Sequence, residues 1–144
     1  MARVTTYLNF LGTTEEAFTY YRDVFGGEFV GPILRLGDGM MPPDAPKLTE
    51  QELQLVMHMQ VSILAGHVLM GTDLVESMGH ELKIGNNTTI NLEPDTRAET
   101  ERLFAALSDG GSDTVPLADM PWGAYWGVTL DRFGIRWMFN GPTA

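Results

Sequence analysis

One order of segments occurs twice in this chain, and that duplication limits the fold more than any other feature. "VTTYLNF" at residues 4–10 reads as a strand, because Leu8 and Phe10 alternate with Tyr7 and Asn9. A helix is expected next: Thr13 and Glu16 have capping-box spacing, and Gly26 with Gly27 follows "AFTYYRDVF" as a stop. A strand near 28–36 and a hairpin, "VMHMQVSILAGHVLMGTD", turning at Ala65 and Gly66, complete the first copy. In the second half "TTINLE" at 88–93 is a strand, Thr96 and Glu99 repeat the box, "AETERLFAAL" is helical, and Gly110 with Gly111 ends it. A strand near 112–118 and a closing hairpin finish the second copy.

The spacing is regular: 84 positions separate Thr5 from Thr89 and Gly26 from Gly110, whereas the hairpin turns Gly66 and Gly134 are 68 apart. The first copy therefore carries 16 additional residues, supplied by "GDGMMPPDAPKLTEQELQ" at 37–54. A connection that long is expected to be a lid, an arm or a binding loop. The fold class is α+β, one domain of two βαβββ modules, about 1–80 and 84–144.

Composition removes several function classes. The 144 residues contain no cysteine, which excludes disulfides, thiolate metal sites and a cysteine nucleophile. Nine basic against 19 acidic residues give a net charge of −10, which repels a nucleic-acid backbone and is compatible with a cationic or amphipathic small molecule. No apolar run approaches the roughly 20 residues of a membrane helix, and "MARVTTYLNF" lacks the pattern of a signal peptide. A cytoplasmic location is expected.

The segments "YLNF", "EEAFTYYRDVFGGEF", "VMH", "VLMGTD" and "WGAYWGVTLDRFGIRWMFN" resemble the PhnB-like branch of the vicinal oxygen chelate superfamily, over essentially the whole chain. That superfamily also holds glyoxalase I, bleomycin-resistance proteins and extradiol dioxygenases. The resemblance implies two modules whose mixed sheets join into a curved cup holding the ligand, usually in a homodimer. A methyltransferase name is attached to such sequences, but no Gly-rich loop follows a strand and opens a helix here, and "GDGMMPP" is a poor substitute.

Strand parity names the residues expected on the cup face. Assigning Leu8 and Phe10 to the core leaves Thr5, Tyr7 and Asn9; assigning Ile90 and Leu92 leaves Thr89, Asn91 and Glu93. Ile135, Trp137 and Phe139 as core leave Arg136, Met138 and Asn140. His58 and Gln60 alternate with Met59, Val61 and Ile63, and the 68-residue offset pairs His58 with Trp126. The expected ligand-binding set is thus Tyr7, Asn9, His58, Gln60, Met70, Asp73, Asn91, Trp126, Arg136, Met138 and Asn140. Asp73 enters as an acid at a strand end; it and Asp131 could instead close turns through backbone hydrogen bonds.

Metal-using relatives place ligands on the first and last strand of each module. Carried over, those places fall on Thr5, Met70, Thr89 and Met138, none a usual ligand of a hard or borderline divalent ion, so no cofactor is expected. The alternative is a lyase- or isomerase-type enzyme with a relocated divalent metal, in which His58 or Glu93 moves a proton. His67 and His80 read as surface or hydrogen-bonded histidines. No Ser sits in a G-x-S-x-G elbow, so nucleophilic catalysis has little support. Two further expectations are a metal-free module binding a flat or amphipathic molecule, and a dimer with the 37–54 loop as its arm.

Overall fold

The computed structural model describes residues 1–39 and 42–144 and divides into two compact units, 1–83 and 84–144. The first runs β1 (Thr6–Phe10), α1 (Thr14–Phe25), β2 (Leu34–Arg35), α2 (Glu50–Leu53), β3 (Val56–Ser62) and β4 (Val68–Asp73). The second runs β5 (Ile90–Leu92), α3 (Arg97–Ser108), β6 (Ser112–Asp119), β7 (Tyr125–Leu130) and β8 (Arg136–Gly141). Each unit forms a four-stranded mixed sheet of equivalent order, β1-β4-β3-β2 and β5-β8-β7-β6, in which the first and last strands are parallel and the others antiparallel. The tandem βαβββ expectation therefore holds. Among the described residues no helix is long and apolar enough to cross a membrane.

Each helix covers one face of its own sheet. In α1 the buried residues Ala17, Phe18, Tyr21 and Val24 recur at helical spacing, and Phe18 meets Phe10 of β1 edge to face at 5.9 Å. Gly71 in β4 lets that ring approach the sheet, since a Cβ there would stand 2.6 Å from Phe18 Cζ. In the second unit Leu103 and Leu107 of α3 are buried, and Phe104 meets Phe139 edge to face at 5.3 Å. Leu8, Phe10, Met59, Val61, Leu92, Trp137 and Phe139 all lie in the cores, as parity requires.

The predicted hairpin turn is also found. Ala65 and Gly66 both take left-handed backbone angles, φ 56° and 75°, the pair that matches strand twist in a two-residue hairpin. The structure departs from expectation in three places. The strand expected near 28–36 shrinks to Leu34–Arg35 and one bridge, Phe29 to Val61, because Gly31 takes φ 73° and Pro32 lacks an N–H for the ladder.

The Thr13–Glu16 capping box does not form. Thr13 makes no side-chain cap; Asp73, at the end of β4, takes the helix start instead. Thr96 does cap α3, accepting from Glu99 N, but the Glu99 carboxylate turns to Arg102, which holds its pKa below the usual carboxylate range.

The long insertion is anchored to its own unit at both ends. Gly37 backs onto Leu53, and Arg35 donates to Gln54 O at 2.9 Å. Thr49 and Glu52 form a complete capping box on α2, and Ser77 donates to Glu52 Oε2. Met40 and Met41, the centre of "GDGMMPP", lie outside the described residues. A shallow pocket of about 240 Å³ remains between α2 and the segments following β1 and β4, lined by Leu11, Gln51, Glu52, Leu55, Leu74 and Glu76 among others.

Candidate functional site

The sheet face turned away from each helix carries the candidate residues, and each unit has its own set. In the first unit Tyr7 pairs with Met70 across β1 and β4, and Gln60 pairs with Met70 from β3. These strands bring Tyr7, Gln60 and Met70 into one row, with Asn9 beside Thr72 in the next. Tyr7 Oη lies 3.2 Å from His58 Nδ1, and Gln60 Nε2 lies 3.1 Å from His58 Nε2. With the amide nitrogen donating, His58 Nε2 accepts, so the proton sits on Nδ1 and points to the phenol oxygen. Partial burial raises the Tyr7 pKa, opposed by a hydrogen bond with Thr72, so the phenol keeps its proton to a higher pH than usual.

The face is part apolar and part polar, which suits orientation of a small molecule. Thr5 Oγ1 donates to Met70 Sδ at 3.7 Å, so two of the four positions carried over from the metal-using pattern bond to each other. The other histidines are engaged locally. Thr6 Oγ1 is 2.9 Å from His67 Nε2, and Val75 N donates to His80 Nδ1 at 2.9 Å.

Asp73 does not belong to this face. Its side chain lies on the helix side, where Oδ1 accepts from Thr14 N at 3.1 Å and Thr14 Oγ1 at 2.6 Å, and Oδ2 from Val56 N at 2.9 Å. Its expected place among ligand-contacting residues is corrected accordingly: parity puts it with Leu69 and Gly71, and its acceptor capacity is spent on the fold. Its carboxylate also occupies the start of α1, where an anionic group of a cofactor would otherwise be drawn. Asp131 closes its turn as expected, accepting from Phe133 N and Ile135 N, and adds a bond from Trp137 Nε1 at 2.8 Å.

The open face of the second unit has different chemistry. Asn140 Nδ2 donates to Asn91 Oδ1 at 2.6 Å, and Asn91 Nδ2 donates to Glu93 Oε2 at 3.0 Å, forming a chain that ends in a carboxylate. Trp126 pairs with Asn140, Val128 with Met138 and Leu130 with Arg136, so the β7 members of these pairs share this face. Arg136 reaches Asp113 at 3.4 Å while its Nε is buried without a partner. Trp122, which sequence reasoning did not assign, stands in the β6–β7 turn with its ring at 76° to that of Trp126 and 6.2 Å away. The four-residue step between the two tryptophans, broken by a turn glycine in "PWGAYW", is the signal that would have found it.

Comparison with known proteins agrees with this architecture. The family model 3-demethylubiquinone-9 3-methyltransferase matches residues 2–139. Protein PA1353 from Pseudomonas aeruginosa is similar over 99% of this chain and 98% of its own, at 32% identity and a TM-score of 0.82. A Bacillus cereus PhnB protein, itself bearing the 3-demethylubiquinone-9 3-methyltransferase name, is similar at 23% identity over 97% of this chain and 99% of its own, with a TM-score of 0.76. A glyoxylase/bleomycin resistance protein/dioxygenase domain from Frankia sp. EAN1pec shares the fold at 10% identity, covering 99% of this chain and 93% of its own, with a TM-score of 0.63. No curated protein matches the chain. On a match spanning residues 2–139 and a repeated βαβββ topology, the chain belongs to the 3-demethylubiquinone-9 3-methyltransferase family and has the glyoxalase/bleomycin-resistance fold.

Proposed function

We propose that this chain binds a small, flat or amphipathic molecule on its open sheet faces and does so without the divalent ion used by metal-dependent members of the superfamily. The observation that carries this reading is the Thr5–Met70 contact. At positions where a metal-using relative needs anionic or imidazole donors, this chain has a neutral hydroxyl bonded to a thioether, a donor set that does not fit a hard or borderline divalent cation. Among the described residues no three His, Asp or Glu side chains converge as a substitute set. Met70 and Met138 offer adaptable apolar contact, while Asn9, Asn91, Asn140 and Gln60 orient a ligand's polar groups. The methyltransferase name has no support in the local chemistry, since the starts of α1 and α3 are taken by Asp73 and Thr96.

A thermal-shift screen of amphipathic aromatic compounds against the full chain, with elemental analysis of protein purified without chelator, tests the reading. The expected result is stabilisation by at least one compound, with no turnover and no stoichiometric metal. A ligand at 100 times its Kd adds about 2.7 kcal/mol. Consumption of the bound compound, or a stoichiometric divalent metal lost on His58→Ala, would overturn the reading in favour of a proton-transferring enzyme built on His58 or Glu93.

A cytoplasmic homodimer is the assembly we propose. It is supported by the long 37–54 insertion. Light scattering is expected to give twice the 15.9 kDa chain mass. A monomer across the micromolar range removes the assembly from the proposal.

A further inference from the structure

We infer that the open face of the second unit is built to hold the cationic head of its ligand, an alkylated ammonium attached to an apolar body. This rests on the small-molecule reading above and specifies its chemistry. Trp122 and Trp126 meet edge to face, with ring planes at 76° and centroids 6.2 Å apart, so the edge-on indole stands as a wall whose faces are left open beside the other ring. Such a wall attracts a cation through the negative faces of its indole, most strongly for soft, weakly hydrated alkylammonium groups.

The third element is a carboxylate. Trp126 pairs with Asn140. Asn140 is linked in turn through Asn91 to Glu93, so the carboxylate stands two side-chain hydrogen bonds from the residue paired with Trp126. The Asn140–Asn91–Glu93 hydrogen bonds orient the acid and leave Glu93 Oε1 and Asn140 Oδ1 as acceptors.

The field also has the right sign. A net charge of −10 draws cations toward the surface. The basic group on this face, Arg136, lies four residues along β8 from Asn140, about 13 Å away at strand rise, and faces Asp113. The face is therefore polarised: the cation belongs at the tryptophan and Glu93 end, and the apolar body runs over Met138 and Val128 toward Arg136.

The test uses benzyltrimethylammonium and its uncharged carbon isostere, neopentylbenzene, titrated into the full chain and followed by the indole N–H resonances. Trp137, whose indole is tied to Asp131 in the core, serves as the internal reference. The expected result is movement of the Trp122 and Trp126 signals by the ammonium, with the Trp137 signal fixed and the isostere at least about tenfold weaker. Glu93→Gln, which keeps an acceptor for Asn91, is expected to weaken the ammonium about three- to tenfold. Trp122→Leu, at a side chain 65% exposed and so outside the packing, is expected to weaken it to a similar extent.

Equal binding of the isostere, unchanged affinity in both variants, or binding of neither probe would overturn the inference. Those outcomes are separable from failure of the parent reading. A neutral compound that stabilises the protein in the thermal screen leaves small-molecule binding standing, whereas a screen with no stabilising compound removes it.

Discussion

Replacing Asp73 by Ala is expected to cost the first unit about 3–5 kcal/mol, enough to abolish most of the stability of a typical small domain. Asp73 is 5% exposed and accepts three hydrogen bonds, from Thr14 N, Thr14 Oγ1 and Val56 N. Removing the carboxylate leaves those donors buried, each costing about 1–3 kcal/mol where no water reaches it. It also removes a negative charge from the start of α1, which contributes roughly another 0.3–1 kcal/mol. These terms overlap, so the simple sum overstates the loss. Asp73→Asn separates them. One amide oxygen can still accept from Thr14, but the amide nitrogen then faces the Val56 N–H, donor against donor, so a loss of about 2–3 kcal/mol is expected. Urea unfolding followed by helix signal and by hydrogen exchange of the α1 amides measures both. A midpoint in Asp73→Ala close to wild type would show that water or a neighbouring residue replaces the carboxylate.

The same residue shows where reading the chain as a string stops working. Strand parity is a local property, fixed by the two-residue alternation, and it placed Tyr7, Asn9, His58, Gln60, Asn91, Arg136, Met138 and Asn140 on the faces away from the helices. The start of α1 is also local in sequence, and Thr13 with Glu16 has the spacing of a capping box, yet Asp73 caps the helix from 59 residues away. Two caps compete for one set of N–H groups. The buried carboxylate prevails because it satisfies the β3 backbone at Val56 in the same stroke, which Thr13 cannot reach. α3 has no such rival, because Gly141 occupies the position equivalent to Asp73, and there Thr96 caps as its sequence suggests.

Trp122 was missed for a related reason. A tryptophan in a turn has no period to place it, and its meaning comes from the perpendicular ring of Trp126, which depends on how the β6–β7 turn folds back through Gly123 at φ 89°. The hydrogen-bonded groups Tyr7–His58–Gln60 and Asn140–Asn91–Glu93 likewise follow from register. A one-residue slip of β1 or β8 against its neighbours would part Tyr7 from His58 or Asn140 from Asn91 and turn the slipped strand's residues to the other face, although residues two apart in that strand would still share a side.

In the second unit, the substitution expected to have the largest effect is Trp137→Leu. Trp137 is fully buried in β8, the central partner of both β5 and β7, and its indole N–H donates to Asp131 Oδ2 at 2.8 Å. Asp131 is itself 3% exposed and holds the β7–β8 turn through Phe133 N and Ile135 N. Leucine fills part of the volume, so the loss has two sources: a residual cavity and a buried carboxylate oxygen without its donor. Together they are expected to cost about 3–5 kcal/mol. Trp137→Phe keeps more of the aromatic volume and loses the same hydrogen bond, so the difference between the two variants measures the cavity alone. Because the Asp73 network lies within residues 1–83 and the Trp137 network within 84–144, hydrogen exchange should report Asp73→Ala mainly in α1 and β3 and Trp137→Leu mainly in β7 and β8. Equal loss of protection throughout the chain in both variants would mean that the two units unfold as one cooperative body.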